Sequence, residues 1–99
     1  MKTFQIGETV VCYIEIYKAS ALYNPLPNSG DAVTVVIYNS SGTAVLGSLS
    51  PQALGNESTG KYSYSWSTTG QSAGVFRARF VATDGATISE KDASFKLEA

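Results

Sequence analysis

The feature that most constrains the fold is an alternation of apolar and polar side chains with a period of two, which recurs along most of the chain. In the segment 9–18, one face carries aliphatic residues and Cys12, and the other carries Tyr13 and Tyr17. This period is typical of half-buried β-strands, since successive side chains of a strand point to opposite faces. We therefore predict an all-β chain, with at most a single helical turn within 19–26.

Turn-forming residues divide the alternating segments into about seven short strands, a number typical of small sandwiches. The predicted strands are a short edge strand around Phe4 and Ile6 that is broken at Gly7, then 9–18, 32–38, 43–49, 60–68, 75–83 and one or two strands within 86–97. Segments 19–31 and 50–59 carry proline and glycine and are predicted loops. Such spacing predicts an antiparallel sandwich of two sheets, with a small closed barrel as the alternative architecture.

Length and charge limit the classes of function. The 99 residues form a single domain, 1–99, which we expect to have been excised from a larger protein. Seven basic residues against eight acidic ones give a net charge of −1, which lacks the clustered positive charge of a nucleic-acid binder. No segment approaches the roughly 18 apolar residues that cross a bilayer, so we expect no direct membrane insertion.

The chain contains no histidine and only one cysteine, Cys12. The absence of histidine excludes Ser-His-Asp and Cys-His catalysis and histidine-ligated metals. The presence of only one cysteine excludes an intramolecular disulfide and a zinc site of several thiolates. Cys12 lies among aliphatic neighbours on its strand face, which predicts a small buried hydrophobe. We predict no cofactor, no metal site and no enzymatic activity.

Two groups of residues have both a structural and a functional interpretation. Tyr62, Tyr64 and Trp66 alternate with lysine and serines, so the aromatic face is predicted to be core rather than a sugar-stacking surface. Arg77 and Arg79 share the outward face of one strand, where pairing with acids on neighbouring strands is the main interpretation and an anion or partner site the alternative.

The acidic residues Asp84, Glu90 and Asp92 lie close together in sequence. They do not follow the calcium-loop pattern of acids at alternating positions with a central glycine. Two carboxylates serve glycoside hydrolysis in other proteins, but nothing in a sandwich of this size predicts a cleft for the sugar. We therefore predict no metal or catalytic role for them.

Several short motifs follow one another in a familiar order. They are Gly7-Glu8-Thr9-Val10, the strand 32–38 with Ser41-Gly42 in its turn, Gly60-Lys61-Tyr62, Gly74-Val75-Phe76 and Thr83-Asp84-Gly85. The pattern resembles the bacterial and archaeal immunoglobulin-like domains, including macroglobulin-type modules that are repeated in cell-surface and secreted proteins. The resemblance implies an immunoglobulin-like sandwich of about seven strands and a modular use, without a ligand or functional residues.

The expected function is that of a structural or adhesive module in a larger protein of the cell surface, cell envelope or extracellular space. The alternative is a carbohydrate-binding module, or an accessory domain of an enzyme or a phage virion protein. Expected partners are neighbouring domains and another protein or a glycan, and the domain itself is expected to be a monomer or weak dimer. The possible ligand or partner surface comprises Tyr13, Tyr17, Tyr23, Tyr38, Arg77 and Arg79. A spacer leaves surface aromatics scattered, whereas a sugar-binding module clusters two or three of them beside polar groups.

Overall fold

The computed structural model describes residues 1–25, 32–47 and 52–99. The described residues form eleven β-strands and no helix. The strands are β1 (Lys2–Gln5), β2 (Thr9–Glu15), β3 (Tyr17–Lys18), β4 (Ala21–Leu22), β5 (Val33–Tyr38), β6 (Ala44–Leu46), β7 (Gln52–Ala53), β8 (Gly55–Ser58), β9 (Lys61–Ser67), β10 (Gly74–Asp84) and β11 (Thr87–Glu98). The all-β prediction is confirmed for this part of the chain.

Two main sheets account for most of these strands. The larger sheet has the order β1-β11-β10-β5-β6, with β7 also paired to β5, and the smaller has the order β2-β9-β8. All pairs are antiparallel except β1 and β11, which run parallel from Lys2 beside Phe95 to Gln5 beside Glu98. β3 and β4 form a separate two-stranded hairpin.

The core lies between the inner faces of the two main sheets, as in a β-sandwich. The alternating apolar residues of β2, β5, β9 and β10 point into it. Most of them are buried, and Ile14, Tyr64 and Ala82 are half-buried against the same core. Trp66 of the smaller sheet contacts the rings of Phe76 and Phe95 of the larger one, with ring centroids 5.8 and 6.1 Å apart. Because burial of aromatic and aliphatic area is the main driving force for folding, these faces determine which side of each strand turns inward.

The predicted core residues take the positions that the alternation assigns to them. Cys12 and Trp66 are buried, as is Tyr62, while Tyr64 is half-buried against the same core. The serines that alternate with these aromatics lie on the outer face of β9, and two of them are exposed. The core assignment of the aromatic ladder is therefore confirmed.

The strand boundaries differ from the prediction in three regions, one of which is the predicted loop 19–31, whose described part contains β4 (Ala21–Leu22). The strand predicted over 9–18 divides into β2 and β3 at Ile16, whose amide still donates to the Gly60 carbonyl while its own carbonyl accepts from the Tyr23 amide, beside the hairpin of β3 and β4. The loop predicted over 50–59 is wrong for its described part, which contains β7 and β8. Exposed polar residues of β8 pair with β9 through backbone hydrogen bonds, which need no apolar alternation.

The single helical turn expected within 19–26 is absent from the described residues 19–25, where the short hairpin of β3 and β4 forms instead. The end of that segment, and residues 48–49 of the predicted strand 43–49, lie outside the described residues.

Candidate binding site at the open side of the two sheets

One side of the molecule is left open between the two main sheets. There β2 pairs only with β9, and β1 covers the outer edge of β11 only at residues 95–98. Among the described residues, the free edge of β2 therefore lies opposite the uncovered part of β11. A cleft opens along this side, because no strand of residues 1–25, 32–47 or 52–99 joins these two edges.

The wider part of the cleft has a volume of about 420 Å³. Its inner surface is apolar and comes from both sheets, with Ile14 and Ile16 on one side and Phe80 and Ala82 on the other. Its rim is polar and includes Glu15, Tyr17, Lys18, Tyr23, Asp84 and Lys91. An apolar concavity with a few convergent polar groups is the usual form of a ligand site, and the volume lies within the ordinary range of about 300–1,000 Å³.

Two of the predicted surface tyrosines lie together beside this cleft. The hydroxyls of Tyr13 and Tyr17 donate to the two carboxylate oxygens of Glu15, at 2.8 and 2.9 Å. The side chains of Tyr13 and Tyr17 are 47% and 58% exposed. We call Tyr13, Glu15 and Tyr17 the tyrosine cluster. Alternation places all three on the outer face, since they are two residues apart in the chain.

The hydrogen bonds of the tyrosine cluster change its acid-base properties. The bond to Glu15 is the main cause that raises the pKa of Tyr13 to about 12, and it also raises the pKa of Tyr17. The same two bonds lower the pKa of the Glu15 carboxyl. Glu15 is therefore a carboxylate at neutral pH, and both tyrosines keep their protons.

A second set of contacts builds the opposite part of the rim. Lys18 forms an ion pair with Asp84, with 3.5 Å between Nζ and Oδ2, and its Nζ lies 4.7 Å from the centre of the Tyr23 ring. The Tyr23 hydroxyl donates to Asp84 Oδ1 at 3.3 Å. These contacts link the hairpin of β3 and β4 to the end of β10, across the mouth of the cleft.

The turn that carries Tyr17 and Lys18 has an unusual backbone. Ala19 and Ser20 connect β3 to β4 with φ values of 53° and 66°. Two positive φ values in a two-residue hairpin fit a type I′ turn, which favours asparagine and glycine. The left-handed conformation costs roughly 1–2 kcal/mol at a residue with a Cβ. The strain thus lies directly beside two rim residues of the cleft.

The remaining predicted surface residues lie elsewhere. Tyr38, Arg77 and Arg79 occupy the outer face of the larger sheet, where Arg77 pairs in register with Tyr38 and its guanidinium carbon lies 4.9 Å from the ring centre. Arg79 forms an ion pair with Asp92 on β11, with 3.1 Å between Nε and Oδ1. The predicted cross-strand acid pairing is confirmed for Arg79, whereas Arg77 lies against an aromatic ring.

The fold divides the acidic residues that the sequence groups. Asp84 and Glu90 both line the cleft, contrary to the expectation that a sandwich of this size offers none, whereas Asp92 pairs with Arg79. No group of three potential metal ligands occurs among residues 1–25, 32–47 and 52–99. Cys12 is buried, and desolvation raises the pKa of its thiol to about 11. A protonated buried thiol is a poor nucleophile.

Sequence reasoning missed the part that Glu15, Lys18 and Asp84 take in the site. The position of Glu15 between two tyrosines on one strand face was a usable signal, since alternation alone brings the three together. The contact between Lys18 and Asp84 joins distant segments and has no local signal.

The comparisons with known proteins identify no relative. No family model matches the chain, and no curated protein or solved structure matches it. The described part of the chain also has no helix that could span a membrane.

Proposed function

We propose that the chain is a non-catalytic immunoglobulin-like module of a larger cell-surface or secreted protein, and that its role is adhesive rather than that of a spacer alone. The observation that carries the adhesive role is the tyrosine cluster at the rim of an apolar cleft. Surface aromatics that lie together beside polar groups are expected of a binding module, whereas a spacer leaves them scattered.

The strand order supports the immunoglobulin-like part of the proposal. In such sandwiches one sheet has the order A, B, E, D and the other the order C, F, G. Here β2, β9 and β8 correspond to B, E and D, and β5, β10 and β11 correspond to C, F and G. β1 departs from this order, because it pairs with β11, the strand that corresponds to G, rather than with β2. The fold lacks the cysteine pair of antibody domains, so the packing of Trp66 against Phe76 and Phe95 takes the central position in the core.

The parallel pairing of β1 with β11 gives a direct test of this arrangement. Nuclear Overhauser effects between the backbones of Thr3 and Lys96 and of Phe4 and Leu97 are expected from the register. Contacts between β1 and β2 in their place would contradict the proposed strand order.

Carbohydrate binding is the second candidate, and it is favoured by the chemistry of the tyrosine cluster. Exposed tyrosine rings provide apolar surfaces on which the faces of sugar rings pack. The Glu15 carboxylate lies between the two hydroxyls and accepts hydrogen bonds, which sugar hydroxyls also donate. Lys18 and Lys91 at the rim add hydrogen-bond donors.

A titration with a broad panel of soluble glycans, followed by ¹H–¹⁵N NMR, tests the adhesive role and its carbohydrate form. The fluorescence of Trp66 is a poor reporter, because that side chain is buried against Phe76 and Phe95 rather than at the cleft. Saturable shifts at Tyr13, Tyr17 and their neighbours, with a dissociation constant below about 1 mM, would favour the carbohydrate-binding candidate.

Matched tyrosine variants locate the binding surface. Tyr17→Ala is expected to abolish saturable binding, whereas Tyr38→Ala is expected to leave it unchanged, since Tyr38 lies on the outer face of the other sheet. Equal loss in both variants would contradict a site at the cleft. If neither the glycans nor a panel of extracellular-matrix proteins shifts these resonances, the module is a spacer.

A further inference from the structure

The free edge of β2 presents hydrogen-bonding groups that have no backbone partner among the described residues. The Glu8 carbonyl accepts from Thr68 and the Ile16 amide donates to Gly60, so even-numbered residues direct their backbone groups towards β9. In a strand these directions alternate, and therefore Val11 and Tyr13 direct theirs towards the open side. An edge of this kind is a template for pairing with another strand.

The side chains of β2 do nothing to block such pairing. The strand carries no charge from Thr9 to Ile14, and Glu15 at its end is the first ionised residue. Val11 is 57% exposed and Tyr13 is 47% exposed on its outer face. Protective devices of natural edge strands, such as lysine, proline or a bulge, are missing from β2.

We propose that two copies of this chain associate by antiparallel pairing of β2 with β2, about a two-fold axis that passes beside Cys12. In this register Val11 lies opposite Tyr13 of the other copy, Val10 lies opposite Ile14, and Thr9 lies opposite Glu15. All seven residues of the strand are used, and the two smaller sheets become one continuous sheet. Pairs of an aromatic with a β-branched residue are favourable across strands.

The charge pattern favours β2 over the uncovered part of β11, the other edge on this side of the molecule. On β11 the uncovered residues include Glu90, Lys91 and Asp92. Two-fold registers centred on any of these three place like charges opposite each other, which is destabilising. The register centred on Cys12 avoids this repulsion, because Glu15, the only charged residue of β2, lies opposite Thr9 of the other copy.

The cleft beneath the β2 edge gives the association an apolar component. A narrower part, of about 280 Å³, lies between β2 and the edge formed by β1 and β11, and Phe4, Phe80 and Phe95 contribute to its lining. A second strand alongside β2 would lie over the mouth of this part and remove apolar area from water.

Sedimentation equilibrium over micromolar to millimolar concentrations tests the proposal. We expect a monomer–dimer equilibrium. Val11→Pro removes an amide that points to the free edge, a position where edge strands accept proline, and is expected to raise the dimer dissociation constant at least about tenfold. Circular dichroism checks that the variant folds. A wild-type chain that stays monomeric over this range would overturn the proposal.

A matched pair of lysine variants distinguishes pairing at the β2 edge from a general effect of removing apolar side chains from the surface. Val11→Lys is expected to weaken the dimer, and Val75→Lys, at another exposed valine on the larger sheet, is expected to leave it unchanged. Equal weakening by both variants would overturn the assignment to β2.

Crosslinking tests the register. In the proposed dimer Val11 and Tyr13 of opposite copies form a hydrogen-bonded pair, with Cα atoms about 5.5 Å apart, a separation that a disulfide can bridge. Both positions are exposed, whereas Cys12 is a buried, protonated thiol. In a Cys12→Ala background, the double variant Val11→Cys and Tyr13→Cys is expected to give a covalent dimer with copper phenanthroline, and the background variant alone is expected to give none. A dimer of the double variant that forms no disulfide under the same oxidant would overturn the register centred on Cys12.

Discussion

Thr68 is the buried polar residue on which the junction of the two sheets depends, and its hydroxyl offers the sharpest test of the packing. The side chain is fully buried at the end of β9. Its hydroxyl donates to the Glu8 carbonyl at 2.6 Å and accepts from the Gly7 amide at 2.8 Å. The turn between β1 and β2, which takes the chain from one sheet to the other, is thereby fixed to β9.

Thr68→Val keeps the shape of the side chain and removes both hydrogen bonds. The Glu8 carbonyl keeps a partner, because the Thr68 amide also donates to it at 3.3 Å, but the Gly7 amide loses its acceptor. One lost hydrogen bond and one unpaired, partly buried amide together cost about 2 kcal/mol. For a domain of this size that corresponds to a fall in Tm of about 8–16 °C.

Urea unfolding and calorimetry measure this effect, with Thr69→Val as the matched control. Thr69 is the next residue, is exposed, and accepts only a 3.3 Å hydrogen bond from the Ser67 hydroxyl. The control variant is expected to change the free energy of unfolding by less than about 0.5 kcal/mol. If the two variants have the same stability, the assigned role of the Thr68 hydroxyl is refuted.

Three further predictions concern the core, a turn and the tyrosine cluster. Trp66→Ala is expected to lower the free energy of unfolding by about 3–5 kcal/mol in denaturant titrations followed by circular dichroism, and a loss below about 1 kcal/mol would contradict its core position. Gly60→Ala is expected to cost at least about 2 kcal/mol more than Gly70→Ala. Both glycines have positive φ, but a Cβ at Gly60 would lie 2.7 Å from two backbone atoms and one at Gly70 would meet nothing within 4 Å, so equal costs would contradict the packing. The Tyr13 hydrogen bond raises the pKa of that residue from 10.0 to about 12, so its stabilising effect is complete below the lower value and is lost as the pH rises through the higher one. Glu15→Ala, which removes the acceptor, is expected to return the phenolate titration of Tyr13, followed by NMR, towards 10, and an unchanged midpoint would exclude the hydrogen bond as the main cause.

Alternation was sufficient to predict the all-β class and the inward faces of the strands. It placed Cys12 and Trp66 in the core because a one-residue shift in register would have buried serines and exposed aromatics. It failed for β8, whose four residues are all exposed and which pairs with β9 through the backbone and through the Asn56 side-chain amide, which donates to the Lys61 carbonyl. Strands without a buried face have no apolar period from which they can be predicted.

The candidate site was predictable only in its local part. Tyr13 and Tyr17 are brought together by strand geometry, which the sequence contains. The contribution of Tyr23 depends on its contacts with Lys18 and Asp84, the latter 61 residues further along the chain. Tyr38 has the same residue type and lies on the other sheet. The order of the strands in the sheets determines which exposed tyrosines share a surface. That order depends on long-range packing, which the local sequence does not contain.

Within the described part of the chain, the two sheets leave one side open, with β2 as a free edge, and both proposals depend on this arrangement. Amide hydrogen exchange, measured by NMR at micromolar protein concentration where a weak dimer is dissociated, tests it most directly. We predict slow exchange at the even-numbered Val10, Cys12 and Ile14, whose amides point towards β9, and fast exchange at Val11 and Tyr13, whose amides point to the open side. Uniform slow exchange along all of β2 would mean that another strand covers this edge, and would contradict the claim.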